Sequence, residues 1–199
     1  MIVAVVLSAG ESSRMGSPKA LLPISGMPFI EEIVRALKGT KVDEILVVLG
    51  HNAEEIESRI GGLPVTVVIN KEYAKGQLSS LVAALRILEE RTNAQKIDGI
   101  LVHLVDHPFI SPPLVDKMIA RFYESGKLIV VPRHRGRRGH PVLFARALFP
   151  ELLSAPLDQG AKAVVHAHRN ETLELDTDYE GVTIDIDTPE EYRRHLRNQ

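Results

Sequence analysis

The apolar residues of this chain come in short β-branched runs, at 2–7, 45–49, 65–69, 100–104 and 128–131, with amphipathic stretches between them. None of these runs alternates apolar with polar, so each reads as a strand buried on both faces. The stretches between them carry helical periodicity. Residues 29–37 set Phe29, Ile33, Ala36 and Leu37 along one side, and 53–60 hold Glu54, Glu55 and Glu57 outward. Residues 80–91 repeat Leu81, Ala84, Leu85 and Leu88 at the i, i+3, i+4, i+7 spacing of a helix with one buried face. Ser79 or Ser80 suits the N-cap of that helix, and two prolines precede a further helix at 114–123. Strand and helix in alternation predict a mostly parallel, three-layer α/β sheet, whose ligands gather at the carboxyl ends of the strands.

Beyond Pro132 the pattern loosens. Residues 133–139 (R-H-R-G-R-R-G) read as a basic loop, 141–144 as a short apolar run and 161–168 as a short helix. Late strands are expected at 171–175 and 182–186, and a terminal helix at 189–196. No repeat, low-complexity tract or long linker interrupts residues 1–199, so a single domain is expected. A formal net charge of −2 argues against a general nucleic-acid binder, so phosphate chemistry must rely on locally placed cations. The absence of cysteine excludes disulfides, thiolate metal sites and cysteine nucleophiles. No apolar stretch approaches the roughly 18 residues of a membrane span, and no basic, then apolar, leader opens the chain. A soluble, cytoplasmic protein without membrane partners is expected.

The first run ends in L-S-A-G-E-S-S-R-M-G-S-P-K, residues 7–19. Gly10 and Gly16 let backbone N–H groups turn toward an anion. Arg14 and Lys19 supply cationic donors, one a planar fork and the other a mobile point charge. The string is neither a dinucleotide G-x-G-x-x-G nor a P-loop, since no G-K-S or G-K-T follows its glycines.

Acidic residues stand at two further places. Asp106 follows an apolar strand, where it suits a Mg²⁺ ligand beside phosphates or a cap for a helix after Pro108. Asp185 and Asp187 lie two apart in T-I-D-I-D-T-P-E-E-Y and would share one side of a strand. Either completes a metal site with Asp106, or Asp187 or Thr188 caps the last helix, with Pro189 at its first position and Glu190 and Glu191 near its positive end. Between a strand and the clearest helix, N-K-E-Y-A-K-G-Q-L-S-S-L at 70–81 offers Gly76 for close backbone approach, and Gln77, Ser79 and Ser80 as neutral partners for a base or ribose. The same segment also reads as a plain polar loop and cap. The four arginines and two histidines of 133–144 suit a phosphorylated acceptor, an exposed basic loop or an RNA contact.

The ordered string L-x-A-G-x-S-x-R-M-G-x-P-K resembles the signature loop of the molybdopterin-type nucleotidyltransferases. It is most similar to their molybdenum cofactor cytidylyltransferase branch, alongside sugar-phosphate and terpenoid-precursor nucleotidyltransferases. The resemblance implies a Rossmann-like α/β fold. It implies that Leu7, Ala9 and Gly10 meet the nucleotide and that Arg14 and Lys19 hold the triphosphate. The Asp of D-x-P, Asp106, is implied as a Mg²⁺ ligand, and the I-D-T-P-E-E segment as the source of a second, Asp187 in preference to Asp185. Asn70, Gly76, Gln77, Ser79 and Ser80 match a nucleotide-contacting element. Gly139, His140 and Pro141 match a G-H-P segment that borders the acceptor. His51 and Asn52 also fit the pattern without a role, and D-Q-G-A-K at 158–162 resembles a further acceptor-side element.

Relatives that transfer guanylyl groups carry Gly where this chain has Ala9. The extra methyl implies CTP over GTP, a discrimination worth ~1–3 kcal/mol. The implied reaction is Mg²⁺-dependent transfer of CMP from CTP to a small phosphorylated acceptor, molybdopterin or its molybdenum-bearing form, with release of pyrophosphate. Lys19, Arg14 and Asp106 are its catalytic residues, and molybdoenzymes or their chaperones are further partners. Guanylyl transfer, cytidylyl transfer to a sugar phosphate or methylerythritol phosphate, a non-catalytic nucleotide-binding role, and a glycosyltransferase using the D-x-D at 185–187 are the alternatives.

Overall fold

The computed structural model describes residues 1–196. An eight-stranded mixed sheet runs through it, with β1 (Ile2–Ser8) at the centre. β4 (Glu44–Leu49) and β6 (Gly99–Leu104) flank β1 in parallel, Val5 lying opposite Leu46 on one side and Val102 on the other. β5 (Thr66–Ile69) forms one edge beside β4. On the other side come β9 (Val142–Ala145), β7 (Ile129–His134) and the edge strand β10 (Thr172–Asp176). β9 runs antiparallel to both its neighbours, and the short β8 (Arg137–Arg138) folds back on β7. A two-stranded ribbon, β2 (Pro23–Ile24) and β3 (Met27–Pro28), stands apart.

Alternate residues of β1 feed two cores. Ile2, Ala4 and Val6 pack with α1 (Phe29–Lys38), α2 (Ala53–Ile60) and α4 (Pro112–Ser125) on one face. Val3, Val5 and Leu7 pack with α3 (Gln77–Glu89), α5 (Phe149–Ser154) and α6 (Ala161–Ala167) on the other. Burying each such valine, leucine or isoleucine contributes about 1.5–3 kcal/mol. A surface ion pair contributes ~0–1 kcal/mol, so β1 alone outweighs the salt bridges around it. Among the described residues no helix is long and apolar enough to cross a membrane.

Four features depart from the sequence reading. Residues 182–186 form no strand: a 3₁₀ turn at Glu180–Thr183 leads into an unpaired extended segment. Single hydrogen bonds tie it down, from His140 N to Val182 O (2.8 Å) and from Ile186 N to Asp106 O (2.8 Å), while Val182 and Ile186 are buried. The basic stretch 133–139 is a hairpin as much as a loop. β7 and β8 are joined by Arg135 (φ 47°) and Gly136 (φ 82°), the two positive angles that match a tight turn to strand twist. α3 begins at Gln77, because Gly76 at φ 96° turns the chain there, so neither Ser79 nor Ser80 is its N-cap. The helix after Pro108 begins only at Pro112, which leaves Asp106 away from its cap.

Candidate active site

β1 and β6 end side by side, and the chain leaves β1 in a coil that returns to the sheet at Lys19. Ser12 (φ 52°) and Gly16 (φ 74°) shape this coil, and Ser12 Oγ accepts from Lys19 N at 3.1 Å. The result is a cavity of about 190 Å³ walled by Ala9, Gly10, Lys19, Gln77, Ser80 and Asp106, among others. Gly50, at the end of β4, lets the back wall close. A Cβ there would stand 2.6 Å from Tyr73 Cβ and 2.9 Å from Ala9 Cβ. His51 N donates to Ala9 O at 3.1 Å, pinning the loop to that wall.

Four charged side chains meet at the lip. The Lys19 ammonium, with only 10% of its side chain exposed, pairs with Asp187 Oδ1 and lies 3.6 Å from Asp106 Oδ2. Arg14 takes the other oxygen of Asp187 at 2.6 Å. Burial pushes the Asp106 carboxyl up, and Lys19 opposes that shift. Burial acts on Asp187 in the same sense, but Lys19 and Arg14 together hold its carboxyl below the usual range. Asp106 Oδ1 is buried without a hydrogen-bond partner. Thr188 and Glu191 form a reciprocal cap on α7 (Pro189–Leu196). Glu191 accepts from the N–H of Asp187 and Thr188, each at 2.9 Å, and its own N–H donates to Thr188 Oγ1 at 3.3 Å. Thr188 thus caps the helix and leaves the Asp187 carboxylate free for the cations.

A second, larger cavity of about 690 Å³ adjoins the first and shares Leu7, Gln77 and Leu104 with it. Its walls are mainly apolar, from β6, β9, α3 and α6, with Gln77, Arg138, His140, Asp158, Gln159, Lys162 and His166 as its polar side chains and Gly139 at its border. Gly139 is there for packing: a Cβ would stand 2.0 Å from Val182 O. His140 is one of three histidines in a buried group. Its ring lies 4.7 Å from that of His107 and 6.5 Å from that of His103, centroid to centroid. Burial pushes His140 down to about 4, with His107 adding to the shift, and also lowers His103 and His107. Burial thus favours the uncharged form of all three.

A family model described as MobA-like NTP transferase domain matches residues 4–172. The chain belongs to this family. It is 29% identical over 204 residues to the nicotine blue oxidoreductase of Paenarthrobacter nicotinovorans, across 98% of this chain and 96% of the relative. It is 28% identical over 161 residues to a probable molybdenum cofactor guanylyltransferase of Thermococcus sibiricus, across 80% and 76%. The crystal structure of Rv0371c from Mycobacterium tuberculosis H37Rv superposes with a TM-score of 0.85 at 31% identity, covering 98% of this chain and 97% of that one. A second crystal structure of Rv0371c, in complex with manganese, gives 0.81 at 28% identity over 100% and 99%. The α/β fold with its mostly parallel sheet is that of the family, and the chain is a nucleotidyltransferase of the MobA-like type.

Within this MobA-like frame, the cavity gathers Leu7, Ala9, Gly10, Lys19, Gly76, Gln77, Ser80 and Asp106. Arg14 stands at the lip, exposed and bound to Asp187. Asn70 and Ser79 lie behind the wall. Asn70 Nδ2 donates to Ser79 Oγ (2.9 Å) and Ser80 Oγ (3.0 Å), and Ser79 Oγ donates to the carbonyls of Glu72 and Gly76. They brace Ser80 and the start of α3. Asp185 is exposed and pairs with neither cation; Asp187 pairs with both. Gly139 and His140 border the larger cavity, whereas Pro141, joined to His140 by a cis peptide, is buried beside it.

The basic stretch contributes less to that cavity than its composition promised. Arg133 turns to Glu174 and Asp176, and His134 bonds to Thr177 O. Arg138 alone of the four arginines lines the wall. Asp158 and Lys162 of the D-Q-G-A-K element also line it, whereas His166 of α6 was not foreseen, and neither was the grouping of His103 and His107 with His140. A histidine inside the apolar run G-I-L-V-H-L was the available signal. Ser8, buried with an unpartnered Oγ in the smaller cavity, and Tyr73 were also missed.

Proposed function

We propose that this chain transfers a nucleoside monophosphate, CMP in preference to GMP, from an NTP to a phosphorylated acceptor of the molybdopterin type, with Mg²⁺ as its cation. The observation that carries the reading is the closed charge set at the lip, Asp106 and Asp187 against Lys19 and Arg14. Two carboxylates converging on one cationic group suit a divalent ion that takes its remaining ligands from phosphates and water. The unpartnered Asp106 Oδ1 adds a free oxygen for it. Among the described residues no group of three or more acidic or histidine side chains converges on a metal, which fits an ion that arrives with the nucleotide. The manganese complex of Rv0371c supports a divalent ion. When bound, such an ion withdraws charge from the phosphate oxygens it touches.

The chain's own residues do the rest. Lys19 and Arg14 exchange Asp187 for the triphosphate, freeing its carboxylate as they neutralise the phosphates. The backbone of Ala9 and Gly10 and the first turn of α3 present N–H groups to the same anion. An acceptor phosphate oxygen in the larger cavity attacks the α-phosphorus in line. The bond to the bridging oxygen of the β-phosphate breaks, and pyrophosphate leaves with the electron pair. The attacking oxygen is already anionic, so positioning and charge neutralisation carry the rate.

For the base, the Ala9 methyl packed near Gly50 supports a pyrimidine, while the guanylyltransferase relative supports GTP. The test is a matrix of CTP and GTP against molybdopterin, sugar phosphates and methylerythritol phosphate, read as pyrophosphate release and product mass. Turnover with GTP alone would overturn the base preference and leave the reaction class intact. A second reading, an oxidoreductase role, rests on the nicotine blue oxidoreductase relative. No pyrophosphate from any pair, with reduction or oxidation of that dye instead, would favour it.

A further inference from the structure

Among the described residues the exposed large apolar side chains are Ile69 (47%), Ile87 (39%), Tyr123 (54%) and Leu157 (53%). Three of these four, all but Tyr123, border one groove of about 630 Å³. Its floor is the outer face of α3 (Val82, Ala83, Ile87). Its walls are the edge strand β5 and residues 153–157. The groove is separate from the lip where Asp106 and Asp187 meet Lys19.

The two edges of the sheet differ. β10 carries Glu174 and Asp176, already paired with Arg133 and Arg138. Such charges discourage pairing with another chain. β5, T-V-V-I, carries neither charge nor proline and ends in exposed Ile69.

The charges beside the groove indicate its occupant. Arg86 on α3 and Glu90, which caps its C-terminal end, flank Ile87; both are exposed and make no hydrogen bond or close ion pair among the described residues, though Arg86 also feels the Glu72 carboxylate on the groove wall. They lie four residues apart at the C-terminal end of α3, so a copy of the same helix crossing antiparallel beside Ile87 sets Arg86 near the other copy's Glu90, and the reverse. Val82 and Ala83 are small enough for close approach.

We infer that this groove is the two-fold interface of a homodimer, with Ile87 at its centre and reciprocal Arg86–Glu90 pairs around it. The self-complementary charge selects a second copy over a foreign partner, which would have no reason to match both signs in this order. The inference stands apart from the transfer reading, since neither residue belongs to the nucleotide or acceptor cavity.

The test is sedimentation equilibrium of the full chain, with circular dichroism to confirm that each surface variant folds. Wild type is expected to dimerise. Ile87→Asp is expected to raise the dissociation constant by about ten-fold or more, as for a central interface residue. Arg86→Glu and Glu90→Arg are each expected to weaken the dimer, and the double exchange to restore it to within about three-fold of wild type. A chain that stays monomeric across the accessible concentration range would overturn the inference. A double exchange no better than the single ones would do so too.

Discussion

The two cavities of the cleft share three residues and little else. The smaller is built at the tips of β1, β4 and β6 from backbone, glycine and a charge set in which every member has a partner. The larger is built from later elements, has mainly apolar walls, and holds neutral histidine where sequence alone suggested positive charge. On the proposed reading the smaller takes a triphosphate and its cation, and the larger takes the acceptor. Reaction class and acceptor identity then rest on different walls, and each is expected to be alterable without the other.

The sharpest way to break that division is at the charge set. Asp106→Ala and Lys19→Ala are each expected to lower kcat by about 10²–10³-fold, as for other groups that neutralise developing charge. Thermal melts should show both variants folded, and near-native turnover in either would remove the catalytic assignment. Next comes Gly139→Ala. Its methyl meets Val182 O, so the 180–183 turn must move, at a cost of about 1–3 kcal/mol in denaturant unfolding. The KM for the acceptor should rise more than that for the NTP.

Lys162→Ala removes an exposed cation from the rim of the larger cavity. It is expected to raise the acceptor KM by about three- to ten-fold with the NTP KM unchanged, the size of one charge-assisted hydrogen bond near solvent. An equal rise in both constants would mean that the two cavities are not separable. Ala9→Gly should shift the ratio of kcat/KM for CTP over GTP by about ten-fold toward GTP.

The smallest effect concerns the C-terminal end of α6. His168, just beyond α6, bonds to Glu171 (2.7 Å) and to Glu151 of α5 (2.8 Å), and those bonds hold its pKa above the ordinary value. Its folded pKa is raised, so its contribution to stability is complete below the unfolded value of about 6.5 and disappears as pH rises through the folded value. His168→Gln should therefore lower the melting temperature slightly in acid and not at alkaline pH. A loss of equal size at both ends would assign the effect to packing rather than charge.

Much of this could be read from residue order because it is local. A β-branched run can be buried on both faces only in a sheet covered by helices, so 2–7, 45–49 and 100–104 already implied the central strands. Glycines and cations between a strand and a returning lysine implied an anion site. Where chemistry depended on partners distant in sequence, reading failed. The segment 182–186 has the composition of a strand but pairs with none, and it is held instead by His140 and Asp106. Asp187 and Asp185 are equivalent by spacing, and only the fold shows which one Lys19 and Arg14 reach.

The sequence by itself determined the three-layer α/β class, the order of the strands' appearance and the glycine-bearing, cationic loop that walls the smaller cavity, because strand burial, turn geometry and charge act over a few neighbouring residues. Tertiary structure decided the pairing of Lys19 with an aspartate 168 residues away, the shift of the buried histidines toward the uncharged form and the diversion of Arg133 to Glu174. Those depend on desolvation and distance, which no local pattern contains.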